Sequence, residues 1–211
     1  MYHNIQSMTK HIDLVRNDNV FMSSDILIFG ETWSLQQDTN HLKSFKILAK
    51  TNSGQIRKPR GISIHIKKTF NQLSVQNKKK KGSIDIAQMK IRDLTIVGIY
   101  ATPKADISLW QKFLNTIRNL QHTKCIVVGD FNINHLKLSK KKKIMNIFLQ
   151  RYNFNLRNNS EATTHSNTAI DWIISNTKLK CGTCNSFFSH HYPLWIKKAC
   201  NYLQFSYHKT S

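Results

Sequence analysis

The chain has 211 residues, of which 40% are hydrophobic, and it carries a formal net charge of +21 at pH 7. This length and apolar content predict a single domain over residues 1–211 with a substantial core. The charge favours a polyanionic partner, and nucleic acid fits better than a membrane because no basic amphipathic helix or lipidation signal is evident. A lysine-rich composition also arises from AT-rich coding DNA, so the charge supports such a partner without proving it.

The sequence has no run of about 20 apolar residues and no N-terminal signal-peptide pattern. We therefore expect an intracellular protein, nuclear or cytoplasmic, and a monomer. Its cysteines, Cys125, Cys181, Cys184 and Cys200, form no dense disulfide framework, which indicates a reducing compartment. The spacing Cys181-Gly182-Thr183-Cys184 followed by histidines is a weak zinc pattern, and the alternative is a loop with two reduced thiols.

The first third of the chain predicts a very short strand, Tyr2-His3-Asn4, and then a helix from Ser7 to Val20 with Ser7 as its N-cap. Strands follow at Asp25–Phe29, Phe45–Lys50 and Arg60–Ile66, separated by a polar loop from Thr51 to Arg60. In the last of these strands apolar and polar residues alternate, so one face belongs to the core and the other faces solvent or a neighbouring element. We expect His65 to lie on the solvent side rather than to act as a ligand.

The central part predicts an antiparallel pair, Ser83–Ile91 and Leu94–Tyr100, joined by a tight turn at Arg92-Asp93 and preceded by a loop at Lys78–Lys81. Ser108 can cap a helix that ends at Leu120. Its apolar stripe predicts a core-facing side, formed by Leu109, Trp110, Phe113, Leu114, Ile117 and Leu120.

The last third predicts a helix that begins near Lys140–Lys143, a strand at Ile170–Ile174, and a final strand within Asn185–Ile196. The apolar residues of the helix are Ile144, Ile147, Phe148 and Tyr152. The polar segment from Asn158 to Asn167 is predicted to be a loop.

The most informative stretch is Cys125-Ile126-Val127-Val128-Gly129-Asp130-Phe131-Asn132. Its four apolar residues predict a strand buried on both faces, which delivers Asp130 and Asn132 to a crevice at its carboxyl end. If strand geometry continues, these two side chains point to the same side and Phe131 faces the core. The alternative is a strand followed by an Asx turn, because Gly-Asp is common in turns.

Five further patterns surround this stretch in a fixed order: Asn4, Gly30-Glu31-Thr32-Trp33, Tyr100, Ile170-Asp171-Trp172 and Ser189-His190-His191. Together they resemble the endonuclease/exonuclease/phosphatase superfamily, which includes pancreatic-type deoxyribonucleases, abasic-site endonucleases and endonuclease domains of mobile elements. The resemblance extends from Asn4 to Trp195. Its motif style is most similar to the domains attached to mobile elements, including non-LTR retrotransposons.

The resemblance implies a four-layer α/β sandwich, in which two mixed β-sheets pack face to face with helices outside. It also implies a central first strand. Because Tyr2-His3-Asn4 is so short, either this strand is truncated or the chain starts late in its gene.

The resemblance implies a divalent-metal-dependent phosphodiesterase, an endonuclease that nicks DNA. Glu31 would be a ligand of Mg²⁺ or Mn²⁺, which take carboxylate oxygens, and Asn4 would help to place Glu31 or the phosphate. Asp130 would orient or deprotonate the attacking water. Asn132 would hydrogen-bond to the phosphate or to Asp130.

The resemblance also implies that Asp171 holds the imidazole of His191, which would donate to a non-bridging phosphate oxygen. Tyr100 would contribute its phenol to the same phosphate.

Two positions depart from the family pattern, because the Asp of Ser-Asp-His is His190 here and a further Asp after the first Asn is Gln6. Fewer carboxylates predict weaker Mg²⁺ binding. His190 would approach the metal side of the crevice, and an imidazole there would favour Mn²⁺.

Basic residues are expected to contact nucleic acid phosphates. They are Arg60, Lys78, Lys79, Lys80, Lys81, Lys140, Lys141, Lys142 and Lys143. Two alternatives remain open: a catalytically decayed copy that only binds nucleic acid, and a phosphatase of the same superfamily.

Overall fold

The computed structural model describes residues 1–33, 42–51, 60–70, 74–81 (main chain only), 83–158 and 161–198. Residues 52–59 of the predicted polar loop, and Cys200, lie outside this part. The helices are α1 (Met8–Asn17), α2 (Asn19–Ser23), α3 (Ile107–Arg118) and α4 (Lys140–Arg151). The strands are β1 (Tyr2–Asn4), β2 (Ile26–Gly30), β3 (Phe45–Lys50), β4 (Ile62–Lys67), β5 (Ser74–Lys81), β6 (Ile84–Ile91), β7 (Leu94–Ala101), β8 (Lys124–Asp130), β9 (Asn155–Leu156), β10 (Asp171–Ser175), β11 (Leu179–Thr183) and β12 (Leu194–Lys198). Among the described residues, every helix is too short or too polar to cross a membrane.

The first sheet has the strand order β11-β12-β1-β2-β4-β3. Although β1 has only three residues, it lies inside this sheet, parallel to β2 and antiparallel to β12. The prediction of a very short first strand in a central position is therefore confirmed.

The second sheet has the strand order β5-β6-β7-β8-β10-β9. The predicted pair β6 and β7 is antiparallel across Arg92-Asp93, where Arg92 has a left-handed φ of 51°. β7 and β8 are parallel, and α3 makes the crossover between them. β10 pairs with β8 in antiparallel register.

Three apolar clusters show how these elements stack. Isoleucines of both sheets meet in an inner core, exemplified by Ile28 and Ile64 from the first sheet and Ile126 from the second. The opposite face of the first sheet packs against α1 and α2, while the opposite face of the second sheet packs against α3 and α4. This confirms the predicted four-layer α/β sandwich of two mixed sheets with helices outside.

Polar side chains determine where the helices begin and end. Two of these boundaries, the end of α1 and the start of α3, differ from the prediction. Ser7 caps α1 as expected, but the helix ends at Asn17 because the Asp18 carboxylate accepts the Val20 N–H at 2.7 Å and starts α2. At α3 the cap is Asp106, which accepts the Leu109 N–H at 2.8 Å, and Ser108 lies inside the first turn.

The predicted apolar stripe of α3 is confirmed, because Trp110, Phe113, Leu114 and Ile117 are buried and Leu109 and Leu120 pack against them. On α4, Phe148 is buried together with Met145 and Leu149, whereas Ile147 is 63% exposed.

Three strand predictions were wrong. Lys78–Lys81 was predicted to be a loop but lies in β5 and pairs with β6. Strand pairing uses main-chain N–H and C=O groups, which lysines provide as well as apolar residues do. β11 contains Cys181 and replaces the predicted loop. His65 is only 3% exposed, since its Nε2 hydrogen-bonds to the Ser63 hydroxyl at 2.9 Å and its ring packs edge-on to Phe29.

Gly129 allows β8 to approach β7 closely next to the first candidate site residue. A Cβ atom at this position would lie 1.8 Å from the Ile99 carbonyl oxygen. Any side chain would therefore push β8, and Asp130 at its end, away from β7.

Candidate active site

The residues of the six motifs converge at one end of the sandwich. Asn4 and Asp130 end β1 and β8, and Glu31 directly follows β2. In the second sheet, Asp130 is the register partner of both Tyr100 on β7 and Asp171 on β10. Strand register therefore brings Tyr100, Asp130 and Asp171 together within the second sheet, and the packing of the two sheets adds Asn4, which lies 126 positions before Asp130 in the chain.

Asn4 joins the two sheets at this point. Its Nδ2 donates to Glu31 Oε1 at 3.1 Å and to Asp130 Oδ2 at 3.0 Å, and Asn4 itself is fully buried. Its Oδ1 accepts the Gln6 N–H at 3.3 Å. Asn4 therefore positions Glu31, one of its two expected roles, and its place among the metal ligands stays a prediction.

Glu31 occupies a constrained main-chain position, with a left-handed φ of 47°. Its carbonyl accepts the Ser7 N–H at 2.9 Å, and the next residue, Thr32, accepts the Met8 N–H at the same distance. A strained main-chain conformation persists only where surrounding contacts, such as these two hydrogen bonds, hold it in place. Such conformations often occur at functional sites.

Tyr100 is 2% exposed and its hydroxyl hydrogen-bonds to the Glu31 carboxylate. Burial, and then the charges of Glu31 and Asp130, raise the pKa of Tyr100 far above its usual value. The phenol is therefore a neutral hydrogen-bond donor at any physiological pH.

Asp171 and His191 form a buried pair, with 2.7 Å between Oδ2 and Nδ1. Burial lowers the pKa of His191, but the charge and hydrogen bond of Asp171 outweigh burial, and the pKa rises to about 9. A pKa of about 9 favours the imidazolium form of His191 at neutral pH.

Asp130 is 1% exposed and faces other acidic groups. Burial, and then the Asp171 charge, raise the pKa of Asp130 well above its usual range, although His191 and the Asn132 N–H oppose this shift. A raised pKa makes a carboxylate a better proton acceptor.

Asn132 follows Asp130 in an Asx turn. Its N–H donates to Asp130 Oδ1 at 2.8 Å, its φ is 47°, and its side-chain Nδ2 donates to the Ala101 carbonyl at 2.7 Å. The contact with Asp130 thus comes from the main chain, and the side chain fastens the turn to β7. Phe131 faces the core as predicted, stacked between Trp110 and Trp172.

Two residues that the motifs did not indicate hold Asp171. Asn158 donates to the Asp171 carbonyl at 2.8 Å and accepts the Ile173 N–H at 2.7 Å. The Thr163 hydroxyl accepts the Asp171 N–H at 3.1 Å. Both residues were assigned to a loop, and only their buried contacts distinguish them from other polar loop residues.

Gln6 supports the segment that carries His191. Its Oε1 accepts the His190 N–H at 3.2 Å and the Ser189 hydroxyl at 3.4 Å. Ser189 also donates to the Asn4 carbonyl at 2.6 Å. The amide thus binds neutral donors where the family pattern has a carboxylate.

The structure does not bring His190 into the acidic group. Its side chain is exposed and its ring lies against that of His165, with centroids 6.0 Å apart. Its predicted role as a metal ligand therefore has no support from this geometry.

Arg60 is held by a buried carboxylate beside the site. Its Nη2 lies 3.0 Å from Asp85 Oδ1, and Asp85 is the register partner of Tyr100. Asp85 also accepts the Gly61 N–H at 3.1 Å. Arg60 therefore has a structural partner as well as its predicted role toward nucleic acid.

The two lysine clusters lie at the same end of the fold. Lys141 Nζ donates to the Pro103 carbonyl at 3.5 Å, and Lys142 Nζ donates to the His135 carbonyl, so α4 begins next to the loops that follow β7 and β8. In β5, Lys80 is the register partner of Asp85, although the side chains of Lys78–Lys81 lie outside the described part.

Within the described residues, one group has the ligand types and spacing for a metal ion. It comprises Asp130, Asp171 and His191, whose ligand atoms lie within 4.8 Å of one another. Asp171 Oδ1 is buried there without a hydrogen-bond partner, and Glu31 adds a third carboxylate bridged by Asn4. Three of the 11 acidic residues of a chain with net charge +21 thus meet at one place, which fits a hard divalent cation. Cys181 and Cys184 belong to no such group.

A family model described as endonuclease-reverse transcriptase matches residues 94–194, the part that contains Tyr100, Asp130, Asp171 and His191. Comparison with curated proteins gave no match.

Solved structures share the fold at low sequence identity. A 3′ phosphatase, NExo from Neisseria, bound to a product DNA hairpin, is 13% identical with a TM-score of 0.70, covering 93% of this chain and 97% of that one. An AP endonuclease from Archaeoglobus fulgidus is 14% identical with a TM-score of 0.69, covering 94% and 98%. The endonuclease domain of TRAS1, a telomere-specific non-LTR retrotransposon, is 12% identical with a TM-score of 0.64, covering 92% and 94%.

The family model over residues 94–194, the shared fold and the motif geometry support the resemblance to the endonuclease/exonuclease/phosphatase superfamily. The resemblance seen in the sequence is confirmed.

Proposed function

We propose that this protein is a divalent-metal-dependent phosphodiesterase that nicks DNA. One observation carries the proposal: the buried Asn4 amide bridges Glu31 and Asp130 at the place where Asp171 holds a protonated His191. Hydrolysis of a phosphodiester needs a proton acceptor for water and positive charge near the phosphate oxygens. Both requirements meet in this arrangement.

Asp130 is the proposed proton acceptor. Its raised pKa and its Asx-turn contact at 2.8 Å keep a basic oxygen in a fixed orientation. Water would lose a proton to Asp130 while its oxygen bonds to phosphorus, and the bond from phosphorus to the leaving oxygen would break.

His191 and Tyr100 are the proposed donors to the phosphate. The imidazolium form of His191 persists up to its pKa of about 9, and its Nδ1 is already occupied by Asp171. That leaves Nε2–H as the donor to a non-bridging oxygen. Tyr100 stays protonated and adds a neutral donor.

Glu31 would hold the metal ion, and the Asn4 amide fixes the Glu31 carboxylate beside Asp130. When bound, Mg²⁺ or Mn²⁺ supplies positive charge that stabilises the negative charge developing on the phosphate and leaving oxygens.

The net charge supports a nucleic acid substrate. Lys140–Lys143 begin α4 beside the loops of the site, and the register of β5 places Lys80–Lys81 at the same end. Lysines at these positions would offset the negative charge of the acidic centre and contact phosphates of the substrate. The family model and the TRAS1 structure support an origin in a mobile element.

Two alternatives remain. The first is phosphatase activity, which the shared fold with the 3′ phosphatase from Neisseria favours. The second is a decayed copy that only binds nucleic acid, favoured by Gln6 and His190 at the two positions where the family pattern has carboxylates.

A single experiment separates these three functions. Purified protein is incubated in Mg²⁺ or Mn²⁺ with two end-labelled duplexes, one with only internal phosphodiesters and one with a terminal 3′ phosphate. We expect internal cleavage. Loss of the terminal phosphate alone would assign a phosphatase, and binding without either reaction would assign a decayed copy.

A further inference from the structure

Two chain segments form a short ribbon over the Asp171–His191 pair. Thr164 and His191 are joined as an antiparallel bridge. The His165 N–H donates to the His190 carbonyl at 2.9 Å, and the Tyr192 N–H donates to the Thr163 carbonyl at 2.8 Å. The ribbon is thus tied to the residue that the proposed mechanism uses as its donor.

The ribbon carries a cluster of three rings, His165, His190 and Tyr192, which we call the rim cluster. The His165 ring lies 6.0 Å from that of His190 at an interplanar angle of 85°, and 5.0 Å from that of Tyr192 at 53°. His165 and His190 are exposed and Tyr192 is half-buried, so these rings are not part of a hydrophobic core.

Side-chain alternation explains why these rings face outward. Thr164 and His191 are 5% and 6% exposed, and His191 points inward to Asp171. Their neighbours His165 and His190 therefore lie on the opposite side of the ribbon, at the surface next to the site.

We propose that the rim cluster binds an unpaired nucleobase of the nucleotide next to the cleaved phosphate, an inference that rests on the proposed function. Flat rings with exposed faces stack on any base, and this contact is independent of sequence. A paired base in a duplex already has both faces stacked, so the cluster would favour single-stranded or locally opened DNA. The departure at His190 then has a reason, because a carboxylate there would offer no aromatic face on which a base could stack.

Binding is measured without divalent metal, in EDTA, so that it does not depend on cleavage. The probes are a fluorescein-labelled single-stranded oligonucleotide and a fully paired duplex of the same length. The variants are His165→Ala, His190→Ala and His165→Phe, which keeps a ring. The matched control is His122→Ala, because His122 is also an exposed histidine but lies beyond the C-terminal end of α3.

We expect each alanine variant of the rim cluster to bind single strands roughly tenfold more weakly. The duplex should be affected much less, and both His165→Phe and His122→Ala should bind as wild type does. Equal affinity of wild type and the alanine variants for single strands would overturn the inference, as would a His165→Phe variant as weak as His165→Ala. A wild-type protein that binds through these rings but cleaves nothing would refute the proposed function alone.

Discussion

Asp171→Asn tests whether the Asp171 charge raises the pKa of His191, because the change removes a negative charge while keeping the size of the side chain. The difference between the usual His191 pKa of 6.5 and its value of about 9 corresponds to roughly 3 kcal/mol in favour of the imidazolium. A neutral amide in place of the Asp171 carboxylate would remove the two largest contributions that oppose the burial of His191, while the charges of Asp130 and Glu31 would remain. We therefore expect the His191 pKa to fall by at least about 2 pH units.

The same shift predicts a pH dependence of stability. Because the folded-state pKa of His191 lies above the unfolded value, its stabilisation is fully present below pH 6.5 and is lost as pH rises through about 9. The free energy of unfolding of wild type should decrease over this window. In Asp171→Asn this decrease should disappear.

The assay is a proton NMR titration of the histidine Cε1–H signals in EDTA, with His191→Gln to assign the signal among ten histidines. Asp13→Asn is the matched control, since Asp13 is an exposed carboxylate paired with Arg16. A His191 signal that titrates at the same pH in wild type and Asp171→Asn would refute this reasoning.

Three further predictions concern catalysis, substrate binding and packing. Asp130→Asn should lower the nicking rate by roughly 10²–10⁴-fold with the fold retained. The double variant with Glu31→Gln should lose much less activity than the product of the two single losses. A loss in the double variant equal to that product would contradict a shared site. Replacing Lys140–Lys143 by Gln should weaken DNA binding and flatten its salt dependence by about 0.9 in log–log slope per lost phosphate contact, as measured by anisotropy; an unchanged slope would mean that these lysines are only solvated. Gly129→Ala should lower the free energy of unfolding by about 3 kcal/mol in urea titrations, because its Cβ would overlap the backbone of β7; wild-type stability would show that β8 can move freely.

Matched controls are available for the first two of these predictions. Asp93→Asn removes an exposed carboxylate that pairs with Lys124 away from the site. Lys10→Gln removes an exposed lysine on α1. Neither change should alter nicking or the salt slope.

The strand ends that build the site could be predicted because sequence determines them locally. The apolar run before Gly129-Asp130 is buried on both faces, so it had to be a central strand with polar residues at its end. The order of the six motifs along the chain then indicated the family resemblance and, with it, the sandwich of two mixed sheets. Register follows from these elements, and it is the reason that Asp130 meets both Tyr100 and Asp171.

Other features depend on contacts that a linear pattern does not contain. Alternation in β4 predicted one solvent-facing side, but alternation cannot distinguish solvent from a buried partner such as Ser63 for His65. The burial of Asn158 and Thr163, which hold Asp171, arises only when their loop folds over β10. Polarity alone had assigned both to an exposed loop.

The role of His190 shows the same limit at the site. Its position in the motif predicted an approach to the metal, whereas the structure places its ring against His165. Whether a side chain next to His191 faces inward or outward is set by the bridge with Thr164, a partner that the sequence does not reveal.

The most direct test of the proposed function is the conversion of supercoiled plasmid to nicked circles by wild type and His191→Ala, purified in parallel and assayed in Mg²⁺ and in Mn²⁺. We predict that wild type nicks the plasmid with at least one of these metals, that EDTA stops the reaction, and that His191→Ala is inactive. Equal nicking by both proteins, or none by wild type with either metal, would contradict the assignment of this site as a DNA-cleaving phosphodiesterase.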